Sequence, residues 1–142
     1  MSRREEVLGA IATRLSALTG PTVLRNAALP QTIPAGGLVI LGDGDPGEPE
    51  VMLSPLAYLY THAAEIDVIV RNHAPAARDA AFDALLTAVA GAVHADRTLG
   101  GLADWIEVMP AQPVELPIEG AEAVKAATLR VIVTYESADS LA

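Results

Sequence analysis

The sequence contains no cysteine, which excludes disulfide bonds, zinc sites with thiolate ligands and cysteine nucleophiles. Aromatic residues are also scarce, at 4% of the chain, so aliphatic side chains must fill most of the interior. No apolar run approaches the roughly 18 residues that are needed to span a bilayer, and no apolar leader opens the chain. We therefore expect a soluble protein, without a membrane partner, that lies in the cytoplasm when it is made.

The sequence also has few positively charged residues. Lysine and arginine together number 9 against 18 aspartates and glutamates, which gives a net charge of −9. Such a surface repels phosphate backbones, so we expect no sequence-specific binding of nucleic acid. The 142 residues match the usual length of one domain. We expect a single domain over residues 1–142, with 136–142 as a frayed tail.

Helical periodicity predicts two main helices. Ser2 and Glu5 fit a capping box at the start of the first helix, and Gly20 and Pro21 stop its apolar repeat. Pro75 suits the first turn of the second helix, which is expected to end near Asp96. The buried stripes are Val7, Leu8, Ile11, Leu15 and Leu18 in the first helix, and Phe82, Leu85, Leu86, Val89 and Val93 in the second.

Alternating and apolar runs predict strands around these helices. Residues 51–62 and 65–72 are expected to be two strands of a hairpin, because only a short segment separates them. Hairpins dominate and no regular βαβ alternation is present, which favours an α+β fold: two main helices packed on a largely antiparallel sheet of mixed strand lengths. The other predicted strands are Thr22–Arg25, 37–42, Trp105–Met109 and Val124–Tyr135, and the predicted loops are 26–37, 43–50 and 110–120.

Residues 43–50, DGDPGEPE, form what we call the acidic loop. Its alternating carboxylates invite comparison with a calcium loop, which requires ligands at fixed positions and a glycine at the sixth. Pro46 and Pro49 interrupt this segment, so a solvated loop is favoured over a dedicated metal site. A loose divalent-ion contact that a neighbouring subunit completes is the alternative.

The residues that could support catalysis are few. His62, His73 and His94 lack metal-binding spacing, and the chain has neither a G-x-S-x-G nucleophile elbow nor a glycine-rich phosphate motif. We expect no catalytic residue, no cofactor and no enzymatic activity. If the protein were instead an enzyme or a ligand-binding domain, Tyr58, Tyr60 and His62 on one strand face would be the candidate pocket residues.

The stretch HADRTLGGLADW, residues 94–105, contains polar side chains beside a Gly-Gly pair. Loops that bind anions lie at helix N-termini, whereas this one follows a helix, at the end that carries negative partial charge. Arg97 suits the last helical carbonyls, Leu99 should point to the core, and Gly100 and Gly101 supply positive φ angles for the turn. We interpret residues 97–101 as a helix-exit loop.

This region resembles the tail terminator (tail completion, or lambda-type minor tail) proteins of long-tailed bacteriophages and prophages. The most specific element is D-x-T-L-G-G at the end of a helix, followed by a short strand. The order of elements agrees over roughly residues 3–137. It includes the helix REEVLGAIATRL, the strand TVLRN, a proline-rich loop, the segment LVILGDGDPGEPE and the closing strand LRVIVTYES.

The resemblance implies a structural protein that acts as a homo-oligomeric, hexameric ring on the head-proximal end of the tail tube. The ring would end tube polymerisation and join the tail to the head connector, so its partners would be the tail tube protein and the head–tail connector protein. It would lie in the virion tail, and in the host bacterial cytoplasm during assembly. By position, the interface candidates are Asp43, Asp45, Glu48, Glu50, Arg97, Thr98, Leu99, Gly100 and Gly101.

DNA would pass through such a ring, and clustered acids around the passage would repel the duplex from every side and let it slide. Two other functions stay open from the sequence. One is a head–tail connector or neck protein of similar size, and the other is a small cytosolic α+β enzyme or ligand-binding domain.

Overall fold

A computed structural model describes residues 1–116 and 121–141. Helices α1 (Arg3–Ser16) and α2 (Pro75–His94) pack on one face of a seven-stranded sheet, the α+β fold that the sequence predicts. The strands are β1 (Thr22–Arg25), β2 (Leu38–Asp45), β3 (Glu50–Leu53), β4 (Leu56–Arg71), β5 (Trp105–Val108), β6 (Gln112–Val114) and β7 (Val124–Ser137). Neither helix in the described part of the chain is long and apolar enough to cross a membrane.

The sheet has the order β1-β2-β4-β7-β5, with β3 beside β4 and β6 beside β7. Every pairing is antiparallel except that of β1 with β2. The main core lies between this sheet and the two helices. A second, smaller cluster lies on the opposite face, where Ile33 of the loop after β1 packs with Leu38, Ile40, Ile69 and Ala126.

Helix α1 begins as the capping pattern predicts, with one difference. The Ser2 hydroxyl accepts a hydrogen bond from the Glu5 amide at 3.1 Å, which satisfies one of the free amides of the first turn. The Glu5 carboxylate, however, binds the guanidinium of Arg25 on β1. The first turn is therefore tied to the sheet through its glutamate.

The predicted hairpin of residues 51–62 and 65–72 is wrong. A single strand, β4, runs from Leu56 to Arg71, and the turn lies earlier, at Ser54-Pro55, between β3 and β4. The alternation of the side chains continues without a break, and the two alanines at 63 and 64 are not turn-forming residues, whereas Pro55 is. The side chains that alternate toward the helices are Tyr58, Tyr60, His62, Ala64, Ile66, Val68 and Val70.

The predicted loops are shorter than expected. Strand β2 continues to Asp45 through a bulge after Gly42, and β3 begins at Glu50, so the loop within the acidic segment is reduced to residues 46–49. Strand β6 lies within the segment 110–120, where the sequence predicts a loop, at the sheet edge that a proline tolerates. Residues 117–120 of that segment lie outside the described residues.

The predicted frayed tail, 136–142, is also partly wrong. Strand β7 continues to Ser137, which is buried and pairs with Tyr58. Beyond the strand, the Tyr60 hydroxyl donates a hydrogen bond to the Ser140 carbonyl. The first residues of the tail are held because β4 begins before Tyr60, so that Leu59 and Tyr58 pair with Glu136 and Ser137 of β7.

Candidate interaction surfaces

Asp43 of the acidic loop is engaged within the fold. Its carboxylate accepts a hydrogen bond of 3.0 Å from Arg25 Nε, and the same guanidinium contacts both carboxylate oxygens of Glu5, at 2.6 and 2.9 Å. Hydrogen bonding to Arg25 lowers the pKa of Glu5, and the bond to Glu5 is the main reason that the pKa of Arg25 is raised. Arg25 thus joins α1, β1 and β2.

The other acids of the loop point outward. Asp45 accepts a hydrogen bond of 2.8 Å from the Gly47 amide, as aspartates do in tight turns. Asp45, Glu48 and Glu50 are all exposed. Within residues 1–116 and 121–141, histidines and carboxylates form no group of three or more that could hold a metal ion.

The helix-exit loop folds around Asp96, a residue whose role the sequence did not reveal. The Asp96 carboxylate accepts hydrogen bonds from the Thr98 amide (3.0 Å), the Thr98 hydroxyl (2.8 Å) and the Gly100 amide (2.9 Å). These bonds, led by the one from the hydroxyl, lower the pKa of Asp96. Leu99 is buried as predicted, and Gly100 and Gly101 have positive φ angles. The sequence signal for this turn was an aspartate followed closely by a threonine and a glycine.

Arg97 and His94 bind the edge strand β5. Arg97 donates a hydrogen bond of 3.1 Å to the Ile106 carbonyl, so the expectation that it would bind the last helical carbonyls is wrong. The Val108 amide donates to His94 Nε2 at 3.0 Å, which requires a neutral imidazole. Burial, followed by the charge of Arg97, lowers the pKa of His94. Two backbone groups of an edge strand are therefore occupied by side chains, which disfavours pairing with a further strand.

The structure does not bring the two predicted interface loops together. Glu5, in the first turn of α1, is bonded to the Arg25–Asp43 pair, while Arg14, in the last turn, lies 3.5 Å from Asp96. At 1.5 Å of rise per residue, Glu5 and Arg14 are separated by roughly 13 Å along the helix. The acidic loop and the helix-exit loop therefore lie near opposite ends of α1.

The aromatic cluster that an enzyme would use is largely inside the core. His62 is fully buried, and its Nε2 lies 2.5 Å from the Asp43 carbonyl, an acceptor, so this nitrogen carries the proton. Nδ1 then accepts a hydrogen bond of 2.9 Å from the Tyr135 hydroxyl. Burial lowers the pKa of His62 and raises the pKa of Tyr135 to about 12. Both ring nitrogens are occupied, and no face of His62 is open to a ligand.

An exposed apolar surface that the sequence pattern did not reveal lies at the β3–β4 turn. We call residues 50–57 the hairpin arm. Val51, Met52, Leu53 and Leu56 are 53%, 42%, 81% and 51% exposed. Val51 pairs with Tyr58 and Leu53 with Leu56, so Val51, Leu53 and Leu56 share one face of the arm. Clustered exposed apolar side chains mark interaction sites.

A second exposed apolar surface lies between α2 and β5. It is an open groove of about 880 Å³, which we call the α2–β5 groove. Trp105 and Met109, on its rim, are 51% and 39% exposed, and Arg97 stacks 4.6 Å above the Trp105 ring. The apolar residues that line it include Leu86, Ala90, Trp105, Val108, Met109 and Pro110.

No protein-family model matches the sequence, and no curated protein matches it. Among solved structures, the fold is similar to that of a chain in the virion of native gene transfer agent (GTA) particle. The TM-score is 0.47 and the sequence identity 15%, over 92% of this chain and 95% of that chain.

Proposed function

We propose that the chain is a structural subunit of a phage-like particle, and specifically a tail terminator. As a ring on the head-proximal end of the tail tube, it would end tube polymerisation and join the tail to the head connector. Support comes first from the resemblance of the helix exit and of the order of elements to that family. The main observation behind the proposal is the hairpin arm. Its exposed apolar residues Val51, Leu53 and Leu56 are typical of a protein that binds its neighbours in an assembly.

The acidic surface fits a ring through which DNA passes. Asp45, Glu48 and Glu50 are exposed and cluster in one segment, and every subunit adds a net charge of −9. Repeated around a passage, these acids would keep the phosphate backbone from adhering. The same charges repel one another between subunits, so added salt or divalent ions should strengthen assembly.

At the level of residues, we assign the contacts to the tail tube and to the connector to exposed positions of the two loops. Asp45, Glu48 and Glu50 of the acidic loop, and Thr98, Gly100 and Gly101 of the helix-exit loop, are exposed and could reach these partners. The remaining candidates serve mainly the fold. Asp43 binds Arg25, Arg97 binds β5, and Leu99 lies in the core.

Deletion of the gene in cells that produce the particles tests the function. Electron microscopy should show tails of uncontrolled length and few tails joined to heads, and the wild-type gene supplied in trans should restore both. An antibody-labelled chain should map to the head-proximal end of the tail. Particles with normal tails and normal DNA delivery after deletion would contradict the proposal. Tails of normal length that fail to join heads would instead indicate a head–tail connector.

The mass of the purified chain provides an independent check of the ring. Light scattering in the presence of magnesium should detect a species of sixfold the 14.7 kDa monomer mass. If the chain is monomeric alone, isolated tail tubes should capture it and become unable to elongate. A dimer that does not change with concentration and ignores tail tubes would contradict a ring.

A further inference from the structure

We propose that the hairpin arm of one copy inserts into the α2–β5 groove of a second copy of this chain, and that this contact is the subunit interface of the ring. The existence of a ring rests on the proposed function; the structure supplies the two surfaces. Both are apolar and exposed, and they belong to different parts of the same chain.

The arm projects beyond the sheet. Strand β7 ends at Ser137, opposite Tyr58, so Leu53 to Leu56 extend past the end of the β4–β7 pair. All four residues of β3 are exposed. Three apolar side chains, Val51, Leu53 and Leu56, share the face of the arm that continues the helix side of the sheet. No residue of the described core covers this face, because the buried cluster ends with the half-buried Tyr58.

The arm cannot fill the groove of its own chain. Strand β3 lies on the β2 side of β4, whereas β5 lies on the far side of β7. Along the strands, Trp105 of β5 pairs with Thr134, and Thr134 pairs with Thr61. Thr61 is about 17 Å from Leu56 at 3.3 Å per residue. A second copy is therefore needed to bring the two surfaces into contact.

The two surfaces are also the places where acidic subunits can approach with little repulsion. The chain carries 18 acidic residues against 9 basic ones, so most other faces of two copies would repel each other electrostatically. The arm contributes one acid, Glu50, at its base. The groove lining contains Glu107, whose carboxylate lies 3.5 Å from the guanidinium of Arg97. The apolar side chains of the groove include Leu86, Ala90, Val108 and Pro110. Burial of apolar side chains would drive this contact.

The contact is made by side chains. Extension of the sheet at β5 is disfavoured because Arg97 occupies the Ile106 carbonyl and His94 the Val108 amide. Since the arm and the groove are different patches, the contact is heterologous: it propagates from copy to copy and closes as a ring at a suitable rotation. A two-fold dimer would instead bring identical patches together.

Paired cysteines test this interface directly, because the wild-type chain has none. We propose Leu53→Cys on the arm and Met109→Cys on the groove rim. Under mild oxidation, a mixture of the two single variants should form a disulfide-linked dimer, while each single variant alone stays monomeric on a non-reducing gel. The double variant should give a ladder that ends at the closed ring. Leu141→Cys, at an equally apolar residue that is 83% exposed and outside both surfaces, is the control.

The cross-linking is done both with the purified chain, at concentrations where light scattering detects oligomers, and in particles assembled in the producing cells. A dimer formed by Leu53→Cys alone would show that two arms meet across a two-fold axis, which overturns the proposal. A second outcome is that assembled particles contain both single variants and yet show no disulfide between position 53 of one copy and position 109 of another. That result overturns this interface and leaves the proposed function standing. A chain that neither oligomerises nor enters particles overturns both.

A charge on the arm provides a second readout. Leu53→Asp should weaken self-association about tenfold or more, the loss expected when an interface anchor is removed. Its thermal unfolding should match wild type, because Leu53 is 81% exposed in the subunit. Leu141→Asp should change neither property. Unchanged self-association of Leu53→Asp contradicts the proposal.

Discussion

His62 Nδ1 and the Tyr135 hydroxyl lie 2.9 Å apart inside the core, on the neighbouring strands β4 and β7. The other ring nitrogen of His62 donates to the carbonyl of Asp43 on β2. One imidazole therefore joins the three central strands, and each of its polar atoms has a partner. A buried polar network that is fully satisfied adds specificity to the register of the strands around it.

Tyr135→Phe should destabilise the fold. It removes the hydroxyl that donates to His62 Nδ1 and leaves a buried acceptor without a partner, at a cost of about 1–3 kcal/mol in the free energy of unfolding. Urea unfolding followed by circular dichroism measures the change. Tyr58→Phe, on the same sheet face but half-buried, is the matched control. Equal losses in the two variants would argue against a special role for the His62–Tyr135 bond.

Stability should fall as the pH drops below about 6.5. The pKa values of His62 and His94 are both lowered from 6.5, mainly by burial. The unfolded chain therefore binds more protons than the folded chain in this window. The stabilisation that each neutral histidine contributes is fully present above pH 6.5. It is lost as the pH falls toward the lowered pKa that the histidine has in the folded chain.

Urea midpoints between about pH 7.5 and pH 5 test this prediction. His94→Gln keeps an acceptor for the Val108 amide but cannot be protonated, so it should remove part of the slope. A wild-type midpoint that stays constant over this range would contradict the assignment of His62 and His94 as neutral in the folded chain.

Gly44→Ala should be more harmful than Gly42→Ala in the same strand. Gly44 has a φ of +68°, and a Cβ there would lie 1.9 Å from the Ala63 carbonyl oxygen. A Cβ on Gly42 would meet its nearest neighbour at an ordinary 3.8 Å. The positive φ alone costs about 1–3 kcal/mol for a residue with a side chain, and the backbone must also shift. Thermal unfolding of the two variants gives the comparison; similar melting temperatures would contradict it.

Arg25→Gln should loosen the attachment of α1 to the sheet. Glu5 and Asp43 lose their shared guanidinium, although both carboxylates are 40% exposed or more, which limits the effect to about 1 kcal/mol. Screening should shrink the difference from wild type in 1 M salt. Arg71→Gln, at the exposed end of β4, is the control. Because the pKa of Glu5 is lowered, this stabilisation is present above pH 4.5 and is lost below it.

The helices and the fold class were predictable because their signals are local. The Ser2 cap, Pro75 in a first turn and the apolar stripes report on residues within a few positions of one another. Strand pairing depends on distant partners. The short strand β6 exists because β7 extends beside it, which no pattern within 112–114 reveals.

The candidate surfaces were less predictable, for the same physical reason. Asp43 looked free within an acidic loop, but Arg25 neutralises it from 18 positions away. The segment containing Val51 and Leu53 is apolar, and an apolar strand is usually buried. Its exposure results from a turn at Pro55, which places the segment beyond the end of β7.

Strand β4 has a mechanical consequence. It runs without interruption for 16 residues, about 50 Å, from the tip of the hairpin arm to the loop before α2. Every residue from Tyr58 to Arg71 is in register with β7. A pull on the arm along the strand loads these hydrogen bonds in shear, all at once, so they do not peel apart in sequence. Tension applied at the tip is therefore shared with β7 along the paired length, and the two strands must separate together.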